Sequence, residues 1–183
     1  TRESCGLPQD AFVFCSFNNN YKYTPEMFTT WMNILRRVEG SVLWLLADNA
    51  WAEANLRQEA ITRGIDPARL IFASRVAPEN YLARYRVADL FLDSFPFNAG
   101  TTANDALWMG LPVLTRSGRT FASRMAGALL TACRLSELVT YTLQDYEEKA
   151  VSLGSDRADC LRLREHLASE REHGVLFDTS MFV

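Results

Sequence analysis

Short apolar runs alternate with helix-length segments along most of this chain. The runs are three to seven residues long and are typical of strands buried on both faces, as in a parallel sheet. They occupy residues 11–17, 41–47, 70–73, 90–92 and 112–115, with a shorter sixth run at 138–140. Because a helical segment follows nearly every run, the sequence predicts an α/β fold with a Rossmann-like, doubly wound parallel sheet.

The predicted helices begin and end at recognisable residues. Thr24 precedes Pro25 and Glu26, which is the order of an N-cap, a first-turn proline and a first-turn acid. Gly40 and Gly64 follow the ends of the first two helical patterns. The helices are predicted at about 25–39, 51–63, 79–87, 101–109, 123–132, 143–153 and 156–172.

Composition restricts the classes of protein that this chain can belong to. Its 183 residues suit one domain, and a net charge of −3 does not favour binding to nucleic acid or an anionic membrane. The four cysteines are scattered without CxxC spacing, which favours free thiols in a reducing cytoplasm over zinc or disulfides. We therefore expect a cytoplasmic protein without a metal; because the chain lacks an initiator Met, we also expect it to be part of a longer one.

Residues 89–110 read as a strand, a glycine-containing loop and a helix. Pro96 ends the strand, and Thr101 and Thr102 are predicted to cap a helix that Gly110 terminates. Free N–H groups, the helix dipole and two hydroxyls at such a junction suit a phosphate or diphosphate. The alternative is that Thr101 and Thr102 cap the helix and bind nothing.

Four loops follow predicted strands and should meet at one edge of the sheet. They are residues 18–22, 75–78, 98–102 and 116–120. In doubly wound sheets, ligands bind beyond the carboxyl ends of the strands, where such loops converge. The sequence therefore predicts an anion-binding site at this edge, with Lys22 placed to neutralise a phosphate or else simply solvated.

Three further side chains near this edge have two interpretations each. Arg84 could contact a base or a phosphate, or pair with Glu79 or Asp89. Tyr81 lies one turn earlier on the same helix face and could stack on a base or only pack. Asp105 could bind ribose hydroxyls or act only as favourable first-turn charge.

Several familiar sites are missing from the sequence. There is no GxGxxG, no Walker lysine motif and no paired serine and histidine, which disfavours a dehydrogenase, a P-loop NTPase and a serine hydrolase. Asp93, at a strand end, is expected only to cap its loop. The four tryptophans are expected in the core: Trp31, Trp44, Trp51 and Trp108.

Six blocks in order resemble one known family, over residues 6 to 182. The family is the O-linked N-acetylglucosamine transferases with their plant SPINDLY-type relatives, and the blocks resemble the C-terminal catalytic lobe. The matching blocks are residues 17–22, 41–46, 76–78, 88–93, 101–108 and 121–124.

The resemblance implies a GT-B glycosyltransferase whose C-terminal lobe binds a nucleotide sugar, usually UDP-N-acetylglucosamine. Such enzymes transfer the sugar to Ser or Thr of acceptor proteins with inversion. An N-terminal lobe and tetratricopeptide repeats of the same protein would complete the enzyme, so residues 1–183 alone should be inactive. No cofactor is implied besides the donor substrate.

The resemblance also implies roles for individual residues. Lys22 would meet the diphosphate and assist departure of the leaving group, with Asn19 near the phosphates. Thr101 and Thr102 would donate hydrogen bonds to the phosphates.

The nucleoside would be held by a second group of residues. Ala77 would contact the uracil through its backbone, Arg84 would face the base and Asp105 would hold the ribose. Tyr81 stands where many members have a histidine against the uracil, and it can still stack there.

Two other departures from the family pattern keep alternatives open. Gly100 stands where many members have a histidine beside the diphosphate, and Glu79 stands where many have a lysine. Gly100 removes a donor that would offset charge on the leaving diphosphate, although it could also let the backbone approach the phosphate closely. The alternatives are a GDP-fucose-type protein O-glycosyltransferase and a non-catalytic domain kept for binding a partner.

Overall fold

The computed structural model describes residues 1–178 and 180. Within these residues, six parallel strands form one sheet in the order β3-β2-β1-β4-β5-β6. The strands are β1 (Val13–Ser16), β2 (Val42–Leu46), β3 (Leu70–Ala73), β4 (Leu90–Leu92), β5 (Val113–Arg116) and β6 (Val139–Thr140). This confirms the predicted α/β fold, and the strand order reverses between β1 and β4.

Helices connect the strands, and each lies within about three residues of its predicted bounds. They are α1 (Pro25–Arg37), α2 (Ala50–Thr62), α3 (Pro78–Arg84), α4 (Thr101–Trp108), α5 (Met125–Ala132), α6 (Leu143–Ser155) and α7 (Arg157–His173). Thr24 caps α1 by accepting a hydrogen bond from the Met27 N–H, as its sequence predicts. No helix among the described residues is both long and apolar enough to cross a membrane.

The core lies between the sheet and its flanking helices. All four residues of β1 are buried, and Trp31 on α1 and Trp44 in β2 are almost fully buried. The prediction that all four tryptophans lie in the core is wrong for Trp51 and Trp108, which are 82% and 43% exposed. Trp51 is exposed because α2 leaves most of its side chains exposed or half-buried, and Trp108 packs edge-on against Phe177.

The four cysteines are free thiols, as their spacing predicts, and three of them are buried. Burial raises the pKa of Cys133 to about 11 and that of Cys160 to about 12. These thiols are therefore protonated at neutral pH and fill space in the core.

Candidate functional site

A cavity of about 500 Å³ lies at the carboxyl ends of β1, β3 and β4. Three of the four predicted loops supply its walls, because parallel strands deliver their following loops to the same edge of the sheet. Its lining residues are Phe17, Asn18, Asn19, Tyr21, Lys22, Leu46, Arg75, Val76, Pro78, Tyr81, Arg84, Gly100, Thr101 and Thr102.

The fourth predicted loop, residues 116–120, does not line this cavity. It contributes Ser117 to a neighbouring apolar cavity of about 670 Å³, which shares Gly100 and Thr101 with the first. All four loops follow carboxyl ends of parallel strands, so the prediction of one edge is correct, but only three of the loops line the first cavity. The reason is that β5 and β6 are displaced along the sheet from β1 and β3.

Seven of the nine predicted site residues line the first cavity, and two do not. Ala77 lies between the lining residues Val76 and Pro78. Asp105 lies one turn into α4 and is not among the lining residues. Partial burial raises the pKa of Asp105, and a hydrogen bond from the Tyr81 hydroxyl offsets part of that rise.

Lys22 is held at the cavity wall by two contacts. It ends the short 3-10 turn Asn20–Lys22 that follows β1, and its Nζ donates to the carbonyl oxygen of Asn98 at 3.2 Å. The same ammonium lies 4.1 Å from the centre of the Phe97 ring, a cation–π contact. Burial lowers the pKa of Lys22, while Tyr21 and Asp93 act in the opposite direction.

The start of α4 differs from its prediction. Gly100, not a threonine, is the N-cap residue, and no side chain among the described residues caps this helix. The Thr102 hydroxyl instead donates to Oδ1 of Asn18 at 2.7 Å. Because the first-turn N–H groups lack a side-chain acceptor, they remain free for an anion at the positive end of the helix dipole.

A buried carboxylate holds the loop that leads into α4. Asp93 is 1% exposed and accepts from the N–H groups of Ser94 at 2.8 Å and Ala99 at 2.7 Å. It also accepts from the Thr115 hydroxyl at 2.6 Å. Burial raises the pKa of Asp93 to about 7, although these hydrogen bonds act to lower it. Its role is to hold the loop, as the sequence predicts.

Asn18 joins this loop to the cavity, and sequence reasoning missed it. Its Nδ2 donates to the Ser94 hydroxyl oxygen at 2.9 Å, while its Oδ1 accepts from Thr102. Asn18 is 2% exposed, so both ends of its amide are committed within the protein. The signal that could have found it is a polar residue directly after the apolar run 11–17 that contains β1.

Arg84, the basic site residue on α3, is partly committed to contacts within the protein. The Arg84 Nη1 donates to the Ser74 carbonyl oxygen at 2.5 Å, and its guanidinium lies 5.9 Å from the Trp44 ring. The alternative that Arg84 pairs with Asp89 is wrong, because Asp89 pairs with Arg2 at 2.7 Å.

Tyr81 keeps a place in the cavity wall while also packing inward. Its ring lies 5.3 Å from that of Tyr85 and 6.3 Å from that of Phe17, and its hydroxyl bonds the Tyr85 hydroxyl. Burial raises the pKa of Tyr81 to about 12. Tyr81 is therefore a neutral, oriented aromatic surface at neutral pH.

The two departures from the family pattern have distinct structural settings. A Cβ built on Gly100 would lie 2.6 Å from the terminal methyl of Met125, so Met125 fills the space that a side chain at position 100 would need. Glu79 is exposed on α3 and is not among the residues that line the cavity.

Within residues 1–178 and 180, no group of three or more His, Cys, Asp or Glu side chains is placed to hold a metal ion. The polar groups of the cavity are instead an ammonium, guanidinium groups, amides and helix N–H groups. That donor set matches the oxygen atoms of phosphates.

Comparison with known proteins gives a consistent match. The model of glycosyl transferase family 41 matches residues 1–183. The "Probable UDP-N-acetylglucosamine–peptide N-acetylglucosaminyltransferase SEC" of Arabidopsis thaliana is 39% identical over 183 residues, which are 100% of this chain and 19% of that protein. The "UDP-N-acetylglucosamine–peptide N-acetylglucosaminyltransferase" of Caenorhabditis elegans is 37% identical over 182 residues, 100% of this chain and 16% of that protein.

A solved structure shares both fold and sequence with the chain. It is a mutant O-GlcNAc transferase of Thermobaculum terrenum, with a TM-score of 0.83 and 33% identity, and the match covers 90% of this chain and 34% of that one. The chain spans less than a fifth of the length of the curated relatives described above.

Proposed function

The chain belongs to glycosyl transferase family 41, and we propose that it forms the nucleotide-sugar-binding lobe of an inverting protein O-glycosyltransferase. The donor is UDP-N-acetylglucosamine, and the acceptors are Ser or Thr hydroxyls of proteins. The rest of the cleft, with tetratricopeptide repeats, belongs to other parts of the same protein. The relatives' names and the small share of their length that this chain spans support this arrangement.

One observation carries the proposal: the cavity at the switch point of the sheet joins Lys22 to the uncapped start of α4. In an open α/β sheet this is the expected position of a bound nucleotide. The free N–H groups of the first turn, the Thr101 hydroxyl and the Lys22 ammonium then contact the diphosphate. Asn19 supplies an amide at the same wall.

Inverting transfer needs stabilisation of a departing diphosphate. The oxygen of the acceptor hydroxyl forms a bond to the anomeric carbon and its proton is released to solvent. The bond between the anomeric carbon and the diphosphate oxygen breaks, and negative charge grows on the UDP that leaves. Lys22 and the α4 dipole face that charge from fixed positions, so they stabilise the transition state more than the ground state.

The nucleoside lies against the α3 side of the cavity. Tyr81 offers its ring to the base, and the Ala77 backbone and Arg84 lie on the same loop and helix. Thr102 contributes through its backbone N–H, because its hydroxyl is bonded to Asn18. Asp105 reaches the ribose hydroxyls when it releases Tyr81.

A second candidate is a domain that binds a partner and does not catalyse transfer. The observation that favours it is Gly100, whose missing side chain leaves space that Met125 occupies. This candidate predicts no nucleotide binding and no effect of Lys22→Ala on partner binding.

Calorimetric titration of the protein with UDP and with GDP tests the proposal. The variants are Lys22→Ala and Thr102→Ala, and Lys149→Ala on α6 is a matched control because it removes the same charge far from the cavity. We expect saturable UDP binding that Lys22→Ala weakens by at least about tenfold, since a charged hydrogen bond to phosphate is lost. Lys149→Ala should bind as the unaltered protein does.

The other outcomes are equally informative. Tighter binding of GDP than of UDP would indicate a donor of the GDP-fucose type. Absence of binding of both nucleotides, in the presence of the remaining lobe, would contradict the glycosyltransferase proposal and favour the partner-binding domain.

A further inference from the structure

Arg75 lines the same cavity, on the loop between β3 and α3, and its side chain is 66% exposed. Its Nη2 donates to Oδ1 of Asp48 at 2.8 Å and to Oδ1 of Asn19 at 3.3 Å. Nε and Nη1 have no hydrogen-bond partner within residues 1–178 and 180. The guanidinium is thus anchored through one nitrogen, and its other donors are unbonded in a residue that lines the cavity.

We propose that Arg75 is a second cationic ligand of the donor diphosphate and the residue that orients Asn19. This inference rests on the proposed nucleotide site. Arg75 approaches the cavity from the β3 side, whereas Lys22 and α4 approach it from the β1 and β4 side.

The shape of the guanidinium supports this role. Its planar fork of N–H donors matches two oxygens of one phosphate, a match that a lysine ammonium lacks. Asp48, which is 25% exposed, holds the fork through Nη2 and leaves Nε and Nη1 unbonded among the described residues. A fixed fork loses less side-chain entropy when it binds an anion.

The hydrogen bond to Asn19 has a separate consequence. Because Oδ1 of Asn19 accepts from Arg75, its Nδ2 group remains a donor at the cavity wall. Loss of Arg75 would let the amide turn, and an amide oxygen facing a phosphate repels it. Arg75 therefore acts both directly and through Asn19.

The charge of the cavity explains why a second cation is needed. A nucleoside diphosphate carries more negative charge than Lys22 alone offsets. Gly100 offers no side-chain donor there, and Arg84 is bonded to the Ser74 carbonyl oxygen. Arg84 also keeps Nε and Nη2 without a hydrogen bond among the described residues, but its guanidinium lies 5.9 Å from the Trp44 ring on the α3 side that we assign to the nucleoside. Arg75 is therefore the further cation that this wall offers to the diphosphate.

A solvated Arg75–Asp48 surface pair is the competing interpretation. An exposed ion pair contributes little to stability, so its removal would change neither folding nor binding. The two interpretations can be distinguished by measuring how the same variants bind a phosphorylated and an unphosphorylated nucleoside.

The experiment is calorimetric titration with UDP and with uridine, on the unaltered protein, Arg75→Gln, Arg75→Lys and Arg86→Gln. Arg86→Gln changes the net charge by the same amount as Arg75→Gln. It is the control because Arg86 is exposed and does not line the cavity. We expect Arg75→Gln to weaken UDP binding about tenfold and to leave uridine binding unchanged. Arg75→Lys should recover part of the loss, because it keeps the charge but lacks the fork.

Three outcomes would overturn the inference. Equal UDP affinity of Arg75→Gln and Arg86→Gln would show that the Arg75–Asp48 pair is a surface ion pair with no part in binding. An equal loss for uridine and UDP would assign Arg75 to the nucleoside, not to the phosphates. Failure of the unaltered protein to bind either ligand in the presence of the remaining lobe would overturn the proposed function itself and the role of Arg75 with it, a result distinct from the other two.

Discussion

The hydroxyl of Thr102 donates a 2.7 Å hydrogen bond to Oδ1 of Asn18, a residue 84 positions earlier in the chain. This bond ties the start of α4 to the loop that follows β1. It also commits the hydroxyl that the sequence assigns to helix capping and phosphate binding. The first turn of α4 is therefore oriented by Asn18, and the groups that it can still offer to an anion are its backbone N–H groups and the Thr101 hydroxyl.

The first prediction concerns this bond. Thr102→Val should lower the free energy of unfolding by about 1 kcal/mol, because it leaves the buried Oδ1 of Asn18 without its donor. Thr101→Val is the matched control: Thr101 is exposed, so its free energy of unfolding should change by less. Urea unfolding of both variants measures the difference. Equal effects would contradict the role of Asn18.

The second prediction concerns the pH dependence of stability. The pKa of Asp93 is about 7 in the folded protein, whereas an unfolded aspartate titrates near pH 4. Between these values the folded state binds more protons, so the contribution of Asp93 to the free energy of unfolding is full below about pH 4 and falls as pH rises towards 7, by at most about 1.4 kcal/mol per pH unit.

Asp93→Asn tests this directly. The amide keeps an oxygen for the N–H groups of Ser94 and Ala99 but cannot ionise. Urea unfolding at several pH values between 4 and 7 should therefore give a shallower dependence for Asp93→Asn than for the unaltered protein. Parallel curves would refute the assignment of this proton to Asp93.

The third prediction concerns the space shared by positions 100 and 125. Gly100→His should destabilise the protein by about 1 kcal/mol, at the low end for overpacking, because its Cβ would meet the terminal methyl of Met125, a flexible side chain that can shift. Adding Met125→Ala should restore part of that loss, giving a favourable coupling of at least about 0.5 kcal/mol in a double-mutant cycle.

Unfolding free energies of the four proteins in the cycle measure this coupling. Additive effects would show that Met125 moves aside without cost. In the double variant the histidine can also donate to a diphosphate, so UDP should bind more tightly than to the unaltered protein.

The fourth prediction concerns the aromatic ring that holds Lys22. Phe97→Leu should weaken UDP binding about two- to fivefold, because it removes a cation–π contact worth about 0.5–1 kcal/mol and leaves the ammonium less fixed. Phe97→Tyr should bind normally. Phe121→Leu, at an exposed ring of the neighbouring cavity, is the control for loss of a surface aromatic side chain.

Calorimetry on these three variants measures the effect. The prediction fails if Phe97→Leu and Phe121→Leu bind UDP equally well. Such a result would mean that the carbonyl oxygen of Asn98 positions Lys22 without help from the ring.

The sequence alone predicts the order of strands and helices along the chain. It also predicts the edge of the sheet at which the loops of the cavity meet. Both depend on local patterns: apolar runs set the strands, caps and glycines set the helix ends, and parallel strands place their loops together. Lys22, Tyr81, Arg84, Gly100, Thr101 and Thr102 line the cavity for this reason. The family assignment, which depends on ordered motifs, is confirmed by the match over residues 1–183.

Only the tertiary structure decides which polar group meets which. Thr102 is a good N-cap by local propensity, yet its hydroxyl bonds Asn18 across the sheet, and Trp51 is exposed although it is apolar. Arg75 becomes a candidate ligand because Asp48 and Asn19, on two other loops, hold its fork at the cavity. These outcomes depend on distances between segments far apart in the chain, which propensity and spacing do not contain, so the sequence determines the site's location while packing determines its donors.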